Sequence, residues 1–405
     1  MERHTSALAL VVGSNGSPSG PDLPVHCLRP HAATIAADWF VRHFPGDVLY
    51  AVKANPHPAI IDAVYAAGVR WFDVASVPEI ELVSARCPDA TLAYMHPVKA
   101  RSAIRRAYFD FGVRIFAVDS SAELQKLIAE TNGANDLHII VRLAVSSDYA
   151  QHKLSGKFGA AGPEAVMVLR EARAVAEELG VSFHVGSQCM RPEAWRVAMQ
   201  SVSEIIRAAG VTVDIVDVGG GFPTAYPGLI PPPLIDYIEE IKAAFEEMPV
   251  LENADLWCEP GRALCAEAGS HVVRVELRKG DTLYLNDGAY GALFDAAHDG
   301  LVFPVQLLRE KGRPRRPMKA FKLFGPTCDS IDVMEGPFFL PADVSEGDYI
   351  EFGLTGAYGS ALATKFNGFG EYIEAVIEDA PMSTMYGGVT QPAEIIALKD
   401  AVIEL

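Results

Sequence analysis

Lys53 lies in an apolar run, YAVKAN, and is the first residue whose setting favours chemistry. A lysine buried in such a run has a lowered pKa, so its neutral amine can attack a carbonyl. On that segment alone, a salt-bridged structural lysine is the alternative. The glycines Gly219, Gly220 and Gly221 in IVDVGGG are a second candidate. Backbone N–H groups without side chains around them can close on an anion, although glycines also make tight turns. An aldehyde-binding lysine together with a phosphate cradle points to pyridoxal phosphate (PLP). Glu259 in CEPGR then acquires a role, because a carboxylate beside the pyridine nitrogen keeps it protonated and the ring becomes an electron sink. Arg262, three residues on, is either a phosphate partner or an orienter of Glu259. His184 in FHVGS is placed to stack on the ring or donate a proton, whereas a lone histidine is more often structural.

These residues need a scaffold that gathers them. Eight β-branched runs alternate with helical patterns: 48–55, 71–76, 91–97, 115–120, 138–145, 181–187, 215–221 and 256–262. Segments such as PEAVMVLREARAVAEELG, with apolar residues at helical spacing, lie between them. The pattern predicts a (β/α)₈ TIM-like barrel, whose active residues gather at the C-terminal ends of the strands. The strand ends carry Lys53, Asp73, Arg142, His184, Ser187, the three glycines, Glu259 and Arg262. An open doubly wound sheet is the alternative, but no G-x-G-x-x-G follows the first strand. After Ala266 strand-like runs come without long helices, which predicts a mostly antiparallel β-sandwich or β-barrel domain. The expected division is an N-terminal arm at 1–25, a barrel at 26–265 and a β-domain at 266–405. The apolar stretch Ala7–Val12 reads as a strand of the arm, and the Ser/Gly/Pro cluster 13–21 as a link. The basic stretch RPRRPMK (313–319) reads as a solvated connector.

The 405 residues carry 52 acidic against 34 basic side chains, a formal net charge of −18. Such a surface repels nucleic acid and anionic membrane and draws in small cations, or simply keeps the protein soluble. Six cysteines without a C-x-x-C pair fit a reducing cytoplasm, and no apolar run is long enough to cross a bilayer. No metal site is expected.

The motifs YAVKAN, FDVAS, FHVGS, DVGGGFP, CEPGR, GPTCDS, GAYG and FNGF, in this order, resemble the fold-type III PLP decarboxylases. These have an alanine-racemase-like barrel, and the resemblance, over about residues 25–375, is to their ornithine and lysine decarboxylase group. It implies that Lys53 binds PLP covalently, Glu259 meets the ring nitrogen and His184 stacks on the ring. It further implies that Ser187, Gly219, Gly220, Gly221, Arg262 and Tyr358 bind the phosphate, that Gly261 also binds the cofactor, and that Asp73, Glu79 and Arg142 arrange the O3′ and Schiff-base side. Cys328 would protonate the substrate Cα, and Cys328 and Asp329 would reach into the partner's site in a head-to-tail homodimer. Lys157 and Asp332 resemble a cross-subunit ion pair. Asp299, with Asp295 as rival, aligns with the acidic residue that takes the distal amine in ornithine enzymes, and Phe366 joins the substrate site. The implied reaction is decarboxylation of L-ornithine to putrescine for polyamine biosynthesis, with L-lysine to cadaverine second. Diaminopimelate decarboxylase, a racemase and a non-catalytic PLP-binding regulator are the alternatives. Arginine ranks last because the arginine enzymes of this fold are expected to be much longer chains.

Overall fold

The computed structural model describes residues 1–12, 20–146, 148–152, 156–309, 312, 314 and 317–387. Residues 13–19 of the cluster 13–21, and residues 313, 315 and 316 of the basic stretch 313–319, therefore lie outside the described residues. Two compact units are present. One holds residues 37–223 and 231–263; the other holds 1–36, 224–230 and 264–405. The first boundary thus falls after Ala36 rather than after residue 25, and seven residues, 224–230, leave the barrel segment. Tyr226 gives the reason, because it is fully buried in the hydrophobic cluster of the second unit.

The first unit is a closed barrel of eight parallel strands: Asp47–Ala51, Trp71–Val74, Thr91–Tyr94, Ile115–Val118, His138–Arg142, Glu178–Ser182, Ile215–Asp217 and Asp255–Cys258. Leu49, Ala93, Met95, Ile115, Ala117, Ile140, Ile215 and Trp257 form one apolar cluster, with Trp71 against it. This plug leaves the opposite, C-terminal ends of the strands to polar residues, the division expected of such barrels. The sixth strand starts three residues earlier than its apolar run, at Glu178, and the helix before it stops at Arg173. Pairing explains the shift. Gly180 lies between Ile140 and Ile215, where a Cβ would come within 2.4 Å of Ile140 Cδ1, so a helix running on to residue 180 is excluded. His184 accordingly sits past the strand end. Ser187 belongs to a separate ribbon, Ser187–Cys189, paired antiparallel with Ala150–His152.

The second unit is built on a nine-stranded sheet of mixed direction, mainly antiparallel. Its long strand Gly269–Lys279 sends alternate residues to two cores: Val273 and Val275 to one face, Val272 to the other. The second face also takes Ala7 and Val11. These lie four apart on a helix, Ala7–Val12, and not on the expected strand. Leu8 and Val12 are the exposed side of that turn, so the apolar run is one-sided at helical spacing. The arm's strand is Glu2–His4, parallel to Ile373–Ile377.

A buried carboxylate braces one loop of this unit. Asp332, 1% exposed, accepts from the amides of Ala289 (2.7 Å) and Thr327 (3.0 Å) and from the Thr327 hydroxyl (2.7 Å). Its oxygens are engaged within the unit, while Lys157 lies in the other unit beside the Phe158 ring. Asp332→Ala removes all three bonds and leaves the buried Ala289 amide and the part-buried Thr327 donors without their acceptor, so a loss of about 2–4 kcal/mol in unfolding free energy is expected by denaturant titration.

Candidate active site

Register decides which residues meet at the barrel's C-terminal end. Ala51 pairs with Asp73, and a short 3₁₀ turn, Val52–Ala54, follows directly. The turn drives Val52 and Ala54 inward, both 0% exposed, and points Lys53 out of the wall. Lys53 is therefore not the buried lysine expected from its apolar neighbours. Its side chain is 42% accessible, and Nζ donates to Oδ2 of the buried Asp73 at 2.6 Å. Glu79 lies in the first turn of the helix Val77–Arg86, behind the N-cap Ser76, and its Oε2 accepts from the Ala75 amide at 2.7 Å. Burial first, then Asp73, raises the Glu79 pKa against the lowering effects of the Ala75 amide and Lys53.

His184 is held by a local bond: the Gly186 N–H donates to Nδ1 at 3.0 Å. Burial, then the nearby positive charges of Arg142 and Lys53, hold its pKa well below the usual histidine value. The imidazole is neutral and, with Nδ1 accepting, carries its proton on Nε2. The Arg142 guanidinium lies over the Phe158 ring at 5.7 Å.

The triple glycine is a place where no side chain fits. Gly219 (φ +68°) and Gly221 (φ +106°) have left-handed backbone. A Cβ at Gly219 would lie 2.0 Å from the Phe183 carbonyl, and one at Gly220 would lie 2.7 Å from the Glu259 carbonyl and 3.1 Å from His184 Nε2. Phe222, 1% exposed, anchors the loop against Phe40 and Trp195, and Trp195 Nε1 donates to the Val218 carbonyl. Gly261 also permits close approach: a Cβ there would lie 2.9 Å from Ala54 Cβ and 3.3 Å from Ala51 Cβ. The buried Arg262 opens the short helix Arg262–Cys265.

Glu259 is 7% exposed, and its amide donates to the Gly219 carbonyl at 2.9 Å. Its Oε1 is buried with no protein hydrogen-bond partner among the described residues. Beside it lies Asp217, fully buried at the end of the seventh strand and absent from the residues that the sequence singles out. The rule that picks out Asp73 and Arg142, a charged residue at a strand end, also points to Asp217, but the glycines after it are the louder signal. Its Oδ1 accepts from the Gly219 amide at 2.9 Å, while Oδ2 has no partner among the described residues. Burial raises the Asp217 carboxyl to about 6, and Glu259 is raised well above the usual range by burial, then by Asp217 and Asp73.

The second unit, taken by itself, collects most of the remaining sequence-derived residues. Cys328 is exposed, and its amide donates to Asn367 Oδ1 at 3.1 Å. The Tyr290 hydroxyl donates to Asp329 Oδ2 at 2.6 Å, and this bond, with the Ile331 amide, holds Asp329 below the usual carboxylate range. Tyr290 also packs on Phe366, with ring centroids 4.7 Å apart. Its loop is pinned by Asp287, whose Oδ2 meets His271 Nε2 at 2.6 Å and accepts from the Ala292 amide. Asp295 is 5% exposed, whereas Asp299 is half-buried at the end of the helix Phe294–His298. Tyr358 is half-buried with φ +56°, a strained backbone for a non-glycine residue. Among the described residues no cluster that could hold a metal ion is found, and no helix is long and apolar enough to cross a membrane.

Residues 34–266 match the family model of the pyridoxal-dependent decarboxylase, pyridoxal-binding domain. The chain is 32% identical over 350 residues to the lysine/ornithine decarboxylase of Selenomonas ruminantium, covering 84% of this chain and 86% of the relative. It is 31% identical over 357 residues to antizyme inhibitor 2 of Xenopus laevis (79% and 73% covered). Among solved structures, the Paramecium bursaria Chlorella virus arginine decarboxylase bound to agmatine superposes with a TM-score of 0.78 at 28% identity, covering 88% of this chain and 98% of the viral one. An arginine enzyme of this fold thus has nearly the length of this chain, and chain length gives no ground against arginine.

The barrel residues fit PLP on structural grounds: a cradle that any Cβ would fill, a buried carboxylate oxygen left open on Glu259, and an accessible amine on Lys53. The raised carboxyls carry a testable sign. Their contribution to stability is fully present below the unfolded value of about 4 and is lost as pH rises through about 6 for Asp217 and higher for Glu259. Glu259→Gln is expected to raise the melting temperature of the cofactor-free protein at pH 8, with the gain vanishing towards pH 4.

Proposed function

The chain belongs to the pyridoxal-dependent ornithine/lysine decarboxylases and uses pyridoxal phosphate, and from that premise we propose that its substrate is L-ornithine, converted to putrescine and CO₂, with L-lysine second. PLP, when bound, supplies the electron sink for the pair left on Cα as CO₂ departs. The barrel residues take the supporting roles. Lys53, with its accessible amine, is the residue that would hold the cofactor's aldehyde. Asp73 orients that amine, as their 2.6 Å bond supports. The neutral His184, fixed through Nδ1, presents a ring face without adding charge. Gly219, Gly220, Gly221, Gly261, Ser187, Arg262 and Tyr358 are assigned to the phosphate side, and Glu79 and Arg142 to the O3′ side. Glu259 is the carboxyl assigned to the ring nitrogen.

The observation that carries a cationic substrate is Asp329, kept ionised on the surface by Tyr290. A held carboxylate suits a distal ammonium. Asp299, half-buried where its rival Asp295 is buried, is the second carboxylate assigned to the distal amine. Cys328, exposed beside Asp329, is the proton donor to Cα in this reading. It is assigned to the neighbouring barrel of a homodimer, to which exposed Phe366 and Phe369 contribute apolar surface.

Incubation of the purified protein and PLP with ornithine, lysine, arginine or diaminopimelate, with CO₂ counted and amines identified by mass, tests the reading. Putrescine is expected as the main product. No CO₂ from any of the four would instead place the chain with its antizyme-inhibitor-like relatives. Lys53→Ala is expected to abolish the visible absorbance of lysine-bound cofactor and nearly all turnover. Asp329→Ala is expected to raise the KM for ornithine by about tenfold or more while the cofactor spectrum is unchanged.

A further inference from the structure

Two oxygens at the barrel end have no donor among the described residues, Asp217 Oδ2 and Glu259 Oε1. Both belong to buried carboxyls on adjacent, hydrogen-bonded strands, and both residues are tied to the same glycine. The Gly219 amide takes Asp217 Oδ1, and the Gly219 carbonyl takes the Glu259 amide. Two carboxylates cannot both stay ionised in such a place, whereas a single proton between them satisfies both open oxygens at once.

We infer that Asp217 is a positioning residue for the decarboxylase: it holds the shared proton and donates it as a hydrogen bond to Glu259, so that Glu259 can face the PLP ring nitrogen as an anion. The inference rests on the proposed role of Glu259. The Gly219 amide fixes the atom, because with Oδ1 engaged only Oδ2 is left to share the proton with Glu259. Burial raises both carboxyls, Glu259 further than Asp217, so the pair keeps a proton; a protonated ring nitrogen beside Glu259 would favour its anion and move that proton to Asp217. The other charged and titratable groups that act on the pair are Asp73 from the second strand, Lys53 from the turn after the first, Arg142 from the end of the fifth and Cys258 next to Glu259. Asp73 opposes ionisation of both, and the two cations favour it. The Cys258 thiol is itself pushed well up by burial and by the two carboxylates, and so stays neutral.

Asparagine imitates the protonated form of Asp217: its carbonyl can take the Gly219 amide while its NH₂ donates to Glu259. The test is the dissociation constant of PLP from the full-length protein, titrated from about pH 6 to about pH 9, for wild type, Asp217→Asn and Asp217→Val. Asp217→Val, which removes the donor, is expected to weaken PLP on the order of ten- to a hundredfold. Asp217→Asn is expected to restore most of that loss, and wild type to weaken relative to it as pH rises, because aspartate can lose the proton and asparagine cannot lose its NH₂. If Asp217→Asn is as weak as Asp217→Val, or if it binds PLP in constant ratio to wild type at every pH, the proton-holding role is overturned. Asp217→Asn keeps the comparison meaningful if the valine variant does not fold. Glu259→Gln tests the underlying reading separately: wild-type PLP affinity and turnover in that variant would remove Glu259 from the ring, whatever the Asp217 variants do.

Discussion

Three carboxylates, Asp73, Asp217 and Glu259, share one end of a barrel with two cations, Lys53 and Arg142, and all three carboxylates are buried. Water is too scarce there to pay for that much charge, so each group must be paired, hydrogen-bonded or neutral. Asp73 is paired with Lys53. Two more groups escape by neutrality: His184, whose protonation burial and the cations oppose, and one member of the Asp217–Glu259 pair. A site arranged this way costs stability that a purely structural barrel end would retain, which is why such clusters mark function.

The backbone holds this arrangement by close approach. Gly219 lies within reach of the Phe183 carbonyl and bonds both Asp217 and Glu259, so the loop and the two carboxyls form one piece. Replacing the glycine disturbs the carboxyls as well as the cradle. Phe222, Trp195 and Phe40 fix the far side of the loop by ring packing, which needs no polar group and adds none to an already charged neighbourhood.

Much of this is legible in the sequence, because barrel strands buried on both faces read as apolar runs and their ends expose whichever residue is polar. All eight strands and the cluster Lys53, Asp73, Glu259 and the glycines follow from that rule. What escapes the sequence depends on partners distant along the chain. The sixth strand begins at Glu178 because of how Gly180 sits between Ile140 and Ile215, which local periodicity does not contain. Ala7–Val12 is a helix because a sheet face needed covering at Ala7 and Val11. Lys53 is exposed because a single 3₁₀ turn rotates it away from its buried neighbours. Asp217 is visible as a letter, but its meaning lies in its proximity to Glu259.

Substrate choice is harder to read than chemistry for a physical reason. Bond-breaking at Cα depends on groups that any α-amino acid substrate requires, and a wrong one abolishes turnover. In the proposed reading, selection at the distal end falls to carboxylates such as Asp329, held by Tyr290 on a loop that Asp287 and Asp332 brace. Ammonium and guanidinium both satisfy a carboxylate, and one methylene is worth only about 1–3 kcal/mol in a pocket. Relatives near 30% identity accordingly share the barrel chemistry while their names divide among the three amino acids. The braces on the Tyr290 loop, rather than the cofactor residues, are therefore where divergence in substrate should be sought.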